Sequence, residues 1–196
     1  MFGQSLWGPV AVLVALGIVA VVVLAVMWFR DHRIVPSSPE EAEEMAHLPM
    51  TSLQRRAWWA FSIQLVLAIA IVVLVARVGV VEYSADDSLR SIVLVLVFMS
   101  LGVYLGMLVP AALRAARGDA DERDEKVMAN ASSIQVGAMM ITVFAWTIYL
   151  TEAFRGVGIP TEYMYPLSGS VFLVFMLAHS AGILVGYWFA RRHAQG

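Results

Sequence analysis

Residues 89–113 read LRSIVLVLVFMSLGVYLGMLVPAAL, an apolar run with one charged side chain, that of Arg90. About 20 apolar residues are enough for a helix to cross the hydrocarbon core of a bilayer. Backbone polar groups find no water partners in lipid, so a spanning segment is either a helix or part of a closed barrel. Barrel strands are short and alternate in hydrophobicity, which this run does not. It therefore predicts a transmembrane helix.

Four further runs have the same character, and they are Leu6–Phe29, Trp58–Val81, Ala131–Phe154 and Leu167–Ala190. Of the 196 residues, 60% are hydrophobic and 14% are charged. We therefore predict an all-α fold, a polytopic membrane bundle of five transmembrane helices in contact with a lipid bilayer. The net charge of −2 argues against a nucleic-acid partner. The sequence contains no Cys, which excludes disulfides and thiolate sites.

The distribution of Lys and Arg predicts how the bundle is oriented. Ten of the 13 basic residues fall on one side of a five-span topology: Arg30, Arg33, Arg55, Arg56, Arg114, Arg117, Arg123, Lys126, Arg191 and Arg192. Cytosolic loops are enriched in Lys and Arg. This bias predicts an N-terminus outside the cell and a C-terminus in the cytosol.

The chain divides into four parts along its length. We expect residues 1–30 to form an N-terminal transmembrane helix and residues 31–52 to form a cytosolic loop with a short helix. Residues 53–118 and 119–196 each form a transmembrane hairpin. Ser-Ile-Gln ends at Gln64 in one hairpin and at Gln135 in the other, and each hairpin also has a Gly-x-x-x-Gly. These matches predict a duplicated helical hairpin, repeated in parallel orientation.

A charged segment, Asp121-Glu122-Arg123-Asp124, precedes the fourth apolar run. Together with MTSLQRRAWWAF at 50–61, two hairpins and a terminal ARRHAQG, it resembles a family of small bacterial integral membrane proteins. Members of that family have a "DER" motif before the third of four spans, and their function is unassigned. The resemblance covers about 50–196, and it implies a location in the bacterial inner membrane but no reaction.

Polar residues within the predicted spans are the candidate site. His179 lies near the centre of the last span, where an ionisable residue suggests a function by default. It is a candidate cofactor ligand for a haem or chlorin, or a proton relay. The alternative is a neutral imidazole bonded to a hydroxyl such as Ser100, Thr142 or Thr147. The other polar intramembrane candidates are Gln64, Gln135, Asn130 and Ser133, which are expected either to bond between helices or to line a pocket.

Two further groups of residues are candidates for contacts between helices and with a partner. Gly102 with Gly106, and Gly182 with Gly186, permit close helix packing, either within the bundle or between copies. The charged cytosolic segment predicts a docking surface made of Arg114, Arg117, Asp121, Glu122, Arg123, Asp124 and Lys126.

The sequence favours binding over catalysis. It has no phosphate-binding loop, zinc-protease motif or nucleophile elbow, and we assign no catalytic residue. We expect a non-catalytic inner-membrane accessory or regulatory subunit with a protein partner or a homo-oligomer. The alternatives are a small transporter built from the repeat and a redox subunit that binds a cofactor through His179.

Overall fold

The structure, a computed structural model, describes residues 50–117 and 122–193. Its helices are α1 (Ser52–Val78), α2 (Val80–Ala85), α3 (Asp87–Met107), α4 (Val109–Ala116), α5 (Glu122–Ala153), a 3₁₀ turn (Thr161–Tyr163) and α6 (Met164–His193). The described residues contain no strand, and four segments are long and apolar enough to span a membrane: Ser52–Val78, Asp87–Ala111, Arg123–Ala153 and Thr161–Phe189. The predicted all-α class is thus confirmed for the described residues, and their four long apolar helices are consistent with a membrane bundle. The predicted span Leu6–Phe29 and the short helix in loop 31–52 lie outside the described residues.

Short connections join the spans at one end of the bundle, which we name the α2 end. Gly79 ends α1 with φ of 106°, a conformation that suits glycine because it has no Cβ. Asp86 caps α3 by accepting hydrogen bonds from the backbone N–H groups of Ser88 and Leu89, at 2.8 and 3.2 Å. Ser84 of α2 donates to the Glu162 carbonyl at 2.9 Å. This bond ties the connection between α1 and α3 to the connection between α5 and α6.

Helix α6 lies at the centre of the bundle, packed mainly on α5 and then on α1. In their most apolar windows, 44% of the α6 span is buried, against 17% of the span that contains α3. Large side chains such as Trp146, Tyr163 and Leu173 fill the core near the α2 end. Four alanines, among them Ala57 and Ala131, contribute to the core at the opposite end, around Tyr187. We name that opposite end the Tyr187 end.

The span that contains α3 is broken near the Tyr187 end. Helix α3 ends at Met107, and α4 begins at Val109. Pro110 has no backbone N–H and therefore cannot bond to the carbonyl four residues earlier, which weakens a continuous helix here. The break places α4, with Arg114 in its last turn, at the end of the span.

Candidate functional site

A layer of polar side chains crosses the middle of the bundle, and all four described spans contribute to it. Gln64 comes from α1, Ser100 from α3, Gln135 from α5, and His179 and Ser180 from α6. All five are buried, with Gln64, Ser100 and Ser180 completely inaccessible. Each lies in the middle part of its helix, so the five form a transverse layer. We refer to these residues as the polar layer.

Gln135 and His179 form the best-connected part of the polar layer. Gln135 Nε2 donates to the Phe175 carbonyl at 3.1 Å and to the Tyr104 hydroxyl at 3.2 Å. A carbonyl only accepts, so the bond to Phe175 fixes which amide atom is Nε2. The amide oxygen therefore faces His179 Nδ1, 3.1 Å away. That oxygen also only accepts, so Nδ1 must carry a hydrogen.

The assigned hydrogen determines what the imidazole of His179 can do. With Nδ1–H engaged by Gln135, the neutral ring keeps its lone pair on Nε2. Nε2 is then the nitrogen that can accept a proton or bind a metal, and a fixed partner on the other nitrogen is the usual way to orient a ligating histidine. The Tyr104 ring packs edge-on against the imidazole, with the centroids 5.7 Å apart. The residues of α3, α5 and α6 thus hold the ring in one orientation.

The other half of the polar layer is less completely paired. The Ser180 hydroxyl donates to Gln64 Oε1 at 2.8 Å, which links α6 to α1. Gln64 Nε2 and Ser100 Oγ have no partner among the described residues. A buried polar atom without a hydrogen bond costs about 1–3 kcal/mol. The amide of Gln64 and the hydroxyl of Ser100 therefore contribute less to stability than Gln135 does.

The remaining predicted polar residues take no part in this layer. Ser133 is exposed, and its hydroxyl bonds to the Ala129 carbonyl of its own helix at 3.4 Å. Asn130 is partly buried, one turn nearer the Tyr187 end. The partner of His179 is the amide of Gln135, whereas the predicted alternative to a ligand role was a bond to a hydroxyl such as that of Ser100, Thr142 or Thr147. Thr142 and Thr147 donate instead to carbonyls of their own helix, both at 2.8 Å.

The two predicted glycine pairs lie in different surroundings. A Cβ added to Gly182 would lie 3.0 Å from the Ala131 Cα, so α5 and α6 approach closely there. Gly186 is also buried. Gly102 and Gly106 are exposed on α3, and a Cβ at either would meet no atom within 4 Å. The pair on α6 is used inside the chain, and the pair on α3 faces outward.

Tyr187 joins three helices near the Tyr187 end. Thr51, the N-cap of α1, donates to the Tyr187 hydroxyl at 3.0 Å, and that hydroxyl donates to the Asp124 carboxylate of α5. The Arg123 guanidinium lies over the tyrosine ring, 5.1 Å from its centroid. Two of the four residues in the charged segment 121–124 therefore turn inward and hold α6.

The remaining docking candidates lie at the same end of the molecule. Arg114, Arg117 and Lys126 are exposed. Asp121 and the side chain of Glu122 lie outside the described part of the chain. Among the side chains that the structure describes, those of the predicted docking surface that are exposed are therefore basic.

An apolar cleft of about 580 Å³ opens between α1, α3 and α6, on the α2 side of the polar layer. Its mouth carries Arg90, which is paired with Asp87 and donates to the Tyr165 hydroxyl at 3.4 Å. Tyr83 also lines the mouth, and burial raises the pKa of its hydroxyl above the usual value. The positive charge of Arg90 has an opposing but smaller effect. The Tyr83 hydroxyl therefore stays neutral at physiological pH.

The sequence did not predict the contacts of Tyr104 and Ser180 in the polar layer. It also did not predict the cleft, or the bonds by which Tyr187 joins α1, α5 and α6. A signal was present for Tyr104 and Ser180, because polar side chains within apolar spans usually bond between helices. For the cleft, the only signal in the sequence was Arg90, a single cation at the end of an apolar run. Among the described residues, no three His, Asp or Glu side chains converge to hold a metal ion.

Comparison of the chain with protein-family models, with curated proteins and with solved structures finds no match.

Proposed function

We propose that the chain is a non-catalytic accessory or regulatory subunit that docks the transmembrane helix of a partner protein on α3. The observation that supports this most is the open glycine pair of α3, in contrast to the occupied pair of α6. Gly102 and Gly106 lie on an outward face with Val95 and Met99, whose side chains are each 56% exposed. Only Val93 and Ser100 of α3 are fully buried.

A glycine on a lipid-facing helix surface lowers the stability of the helix. Each glycine in a helix interior destabilises the helix by about 1 kcal/mol relative to alanine. At Gly182 the close approach of Ala131 offsets that cost, since a Cβ there would lie 3.0 Å from the Ala131 Cα, closer than ordinary van der Waals contact. No described residue makes such a contact at Gly102 or Gly106. Because small residues let helix backbones approach closely in membranes, a second helix on this face would provide the missing contact.

The charge near this face indicates which kind of helix fits. Arg114 and Arg117 are exposed where α4 continues the span of α3. Opposite charges across an interface favour association, and like charges oppose it. We therefore infer a partner helix with small residues along one face and acidic side chains beyond its end next to α4.

Native mass spectrometry of the full chain, purified from its own host membranes in mild detergent, tests the proposal. Wild type should carry one stoichiometric second protein, and the double variant Gly102→Ile, Gly106→Ile should lose it. Gly137→Ile is the matched control, because Gly137 is also a helical glycine with open space around it. A bare monomer from wild type, a homodimer, or a double variant that keeps its partner would each contradict the proposal.

We also propose the bacterial inner membrane, with the α2 end outside and the Tyr187 end in the cytosol. The excess of Lys and Arg at the Tyr187 end supports this orientation. The chain has no Cys, so single cysteines can be placed at exposed Ser88, at the α2 end, and at exposed Ser52, at the other. A membrane-impermeant maleimide should label Ser88→Cys in intact cells and leave Ser52→Cys unlabelled. The reverse pattern would overturn this orientation.

A further inference from the structure

The cleft between α1, α3 and α6 has the form of a site for an amphiphile. Apolar side chains line its interior, among them Ile71, Val97 and Leu173. Polar and charged side chains line one end only, around Arg90 and Tyr165. Its volume of about 580 Å³ lies within the range of small-molecule sites, about 300–1,000 Å³.

The length of the cleft matches one leaflet of a bilayer. Beyond Asp87 at its rim, its lining on α3 extends from Arg90 at the mouth to Leu101 in the interior. At a rise of 1.5 Å per residue, this stretch of helix is about 16 Å long. Half of a hydrocarbon core about 30 Å thick is about 15 Å. A lipid acyl chain with its headgroup level with Arg90 would thus extend to the inner limit of the cleft.

The mouth of the cleft is organised for a polar headgroup. The Arg90 guanidinium donates to the Tyr165 hydroxyl and lies 5.3 Å from the centroid of its ring, which fixes the cation between α3 and α6. Arginine binds phosphate oxygens with its planar fork of N–H donors. Asp87 is paired with Arg90, yet its side chain is 89% exposed, so the carboxylate is open to a second cation.

We propose that this cleft binds one bilayer phospholipid with a zwitterionic amine headgroup, such as phosphatidylethanolamine. One acyl chain lies along the apolar lining, the phosphate contacts Arg90, and the ammonium contacts Asp87. A lipid with net negative charge fits less well, because Asp87 repels it. The cleft uses a different face of α3 from the one proposed for the partner helix, since Val95 and Met99 do not line the cleft.

Native mass spectrometry of the full chain with phosphatidylethanolamine and phosphatidylglycerol in competition tests the site. Wild type should retain one phosphatidylethanolamine per chain. Val97→Trp, which fills the cleft, should weaken retention at least about tenfold, whereas Ile92→Trp, at an exposed position of the same helix that does not line the cleft, should not. Arg90→Gln should weaken retention about tenfold or more, because it removes a charged donor. Arg155→Gln is its matched control, an exposed arginine paired with Glu152 outside the cleft.

Three outcomes would overturn the assignment. The first is that wild type retains no lipid. The second is that Val97→Trp and Arg90→Gln retain as much lipid as wild type and the two control variants. The third is a dimer that Val97→Trp dissociates, which would make a second copy the occupant. Equal retention of both lipids by wild type would overturn the headgroup assignment alone.

Discussion

Helices α3 and α6 both have a Gly-x-x-x-Gly, and they use it in different ways. In α6 the glycines face the core, where Gly182 allows the backbone of α5 to approach closely at Ala131. In α3 the glycines face outward with nothing within 4 Å. The same sequence motif thus serves contacts within the chain on one helix and leaves an open surface on the other. The difference shows that spacing predicts the capacity for close packing and leaves the partner unspecified.

The largest expected effect concerns the occupied glycine pair. Gly182→Val places side-chain atoms against the backbone of Ala131, which cannot rotate away as a side chain could, and we expect a loss of about 3 kcal/mol or more in the free energy of unfolding. Gly102→Val, the same change on α3, should alter it by no more than about 0.5 kcal/mol. Unfolding by SDS titration in mixed micelles measures both. Similar losses for the two variants would contradict the contrast between the helices.

The next effect concerns how α6 is held at the Tyr187 end. Tyr187→Phe removes the hydroxyl that bonds to Asp124 and Thr51, and we expect a loss of about 1.5–3 kcal/mol because one partner is charged. Tyr149→Phe is the matched control, since the buried Tyr149 hydroxyl has no partner among the described residues. The same titration should find this control as stable as wild type or more so. A Tyr187→Phe variant as stable as its control would show that the hydrogen bonds of the Tyr187 hydroxyl contribute nothing to the free energy of unfolding.

A smaller effect is expected within the polar layer. Gln135→Leu leaves His179 Nδ1–H and the Phe175 carbonyl without their partner, and it should cost about 1–2 kcal/mol. Gln64→Leu should cost less, because Gln64 makes one bond and already leaves Nε2 unpaired. If Gln64→Leu proved the more damaging of the two, the assigned division of the layer would be wrong.

The smallest effect concerns the one fully buried polar residue of α3. Ser100→Ala removes a hydroxyl that has no partner among the described residues. We expect unchanged or slightly higher stability, within about 0.5 kcal/mol of wild type. Ser180→Ala, the same change on α6, should be clearly worse because it breaks the bond to Gln64. Equal losses from both would imply that Ser100 is also bonded.

The spans could be predicted from the sequence because a membrane demands long apolar helices, and those of α1, α3, α5 and α6 lie close to the predicted runs. The burial of Gln64, Gln135 and His179 could also be anticipated, since polar groups in lipid turn toward other helices. The pairing of His179 with Gln135 could not, because it depends on the rotation of α5 against α6. The inward position of Asp124 could not be predicted either, because its partner Tyr187 is distant in sequence. The duplicated hairpin and the fifth span stay predictions.

Site-specific photocrosslinking in host membranes would test the central claim most directly. A photoreactive residue in place of Met99 probes the glycine face of α3, and one in place of Val66 probes a position on α1 that is at least as exposed. The account predicts a protein adduct of discrete mass at Met99, suppressed by Gly106→Ile, and only lipid adducts at Val66. Lipid adducts alone at both positions would contradict a partner helix on α3.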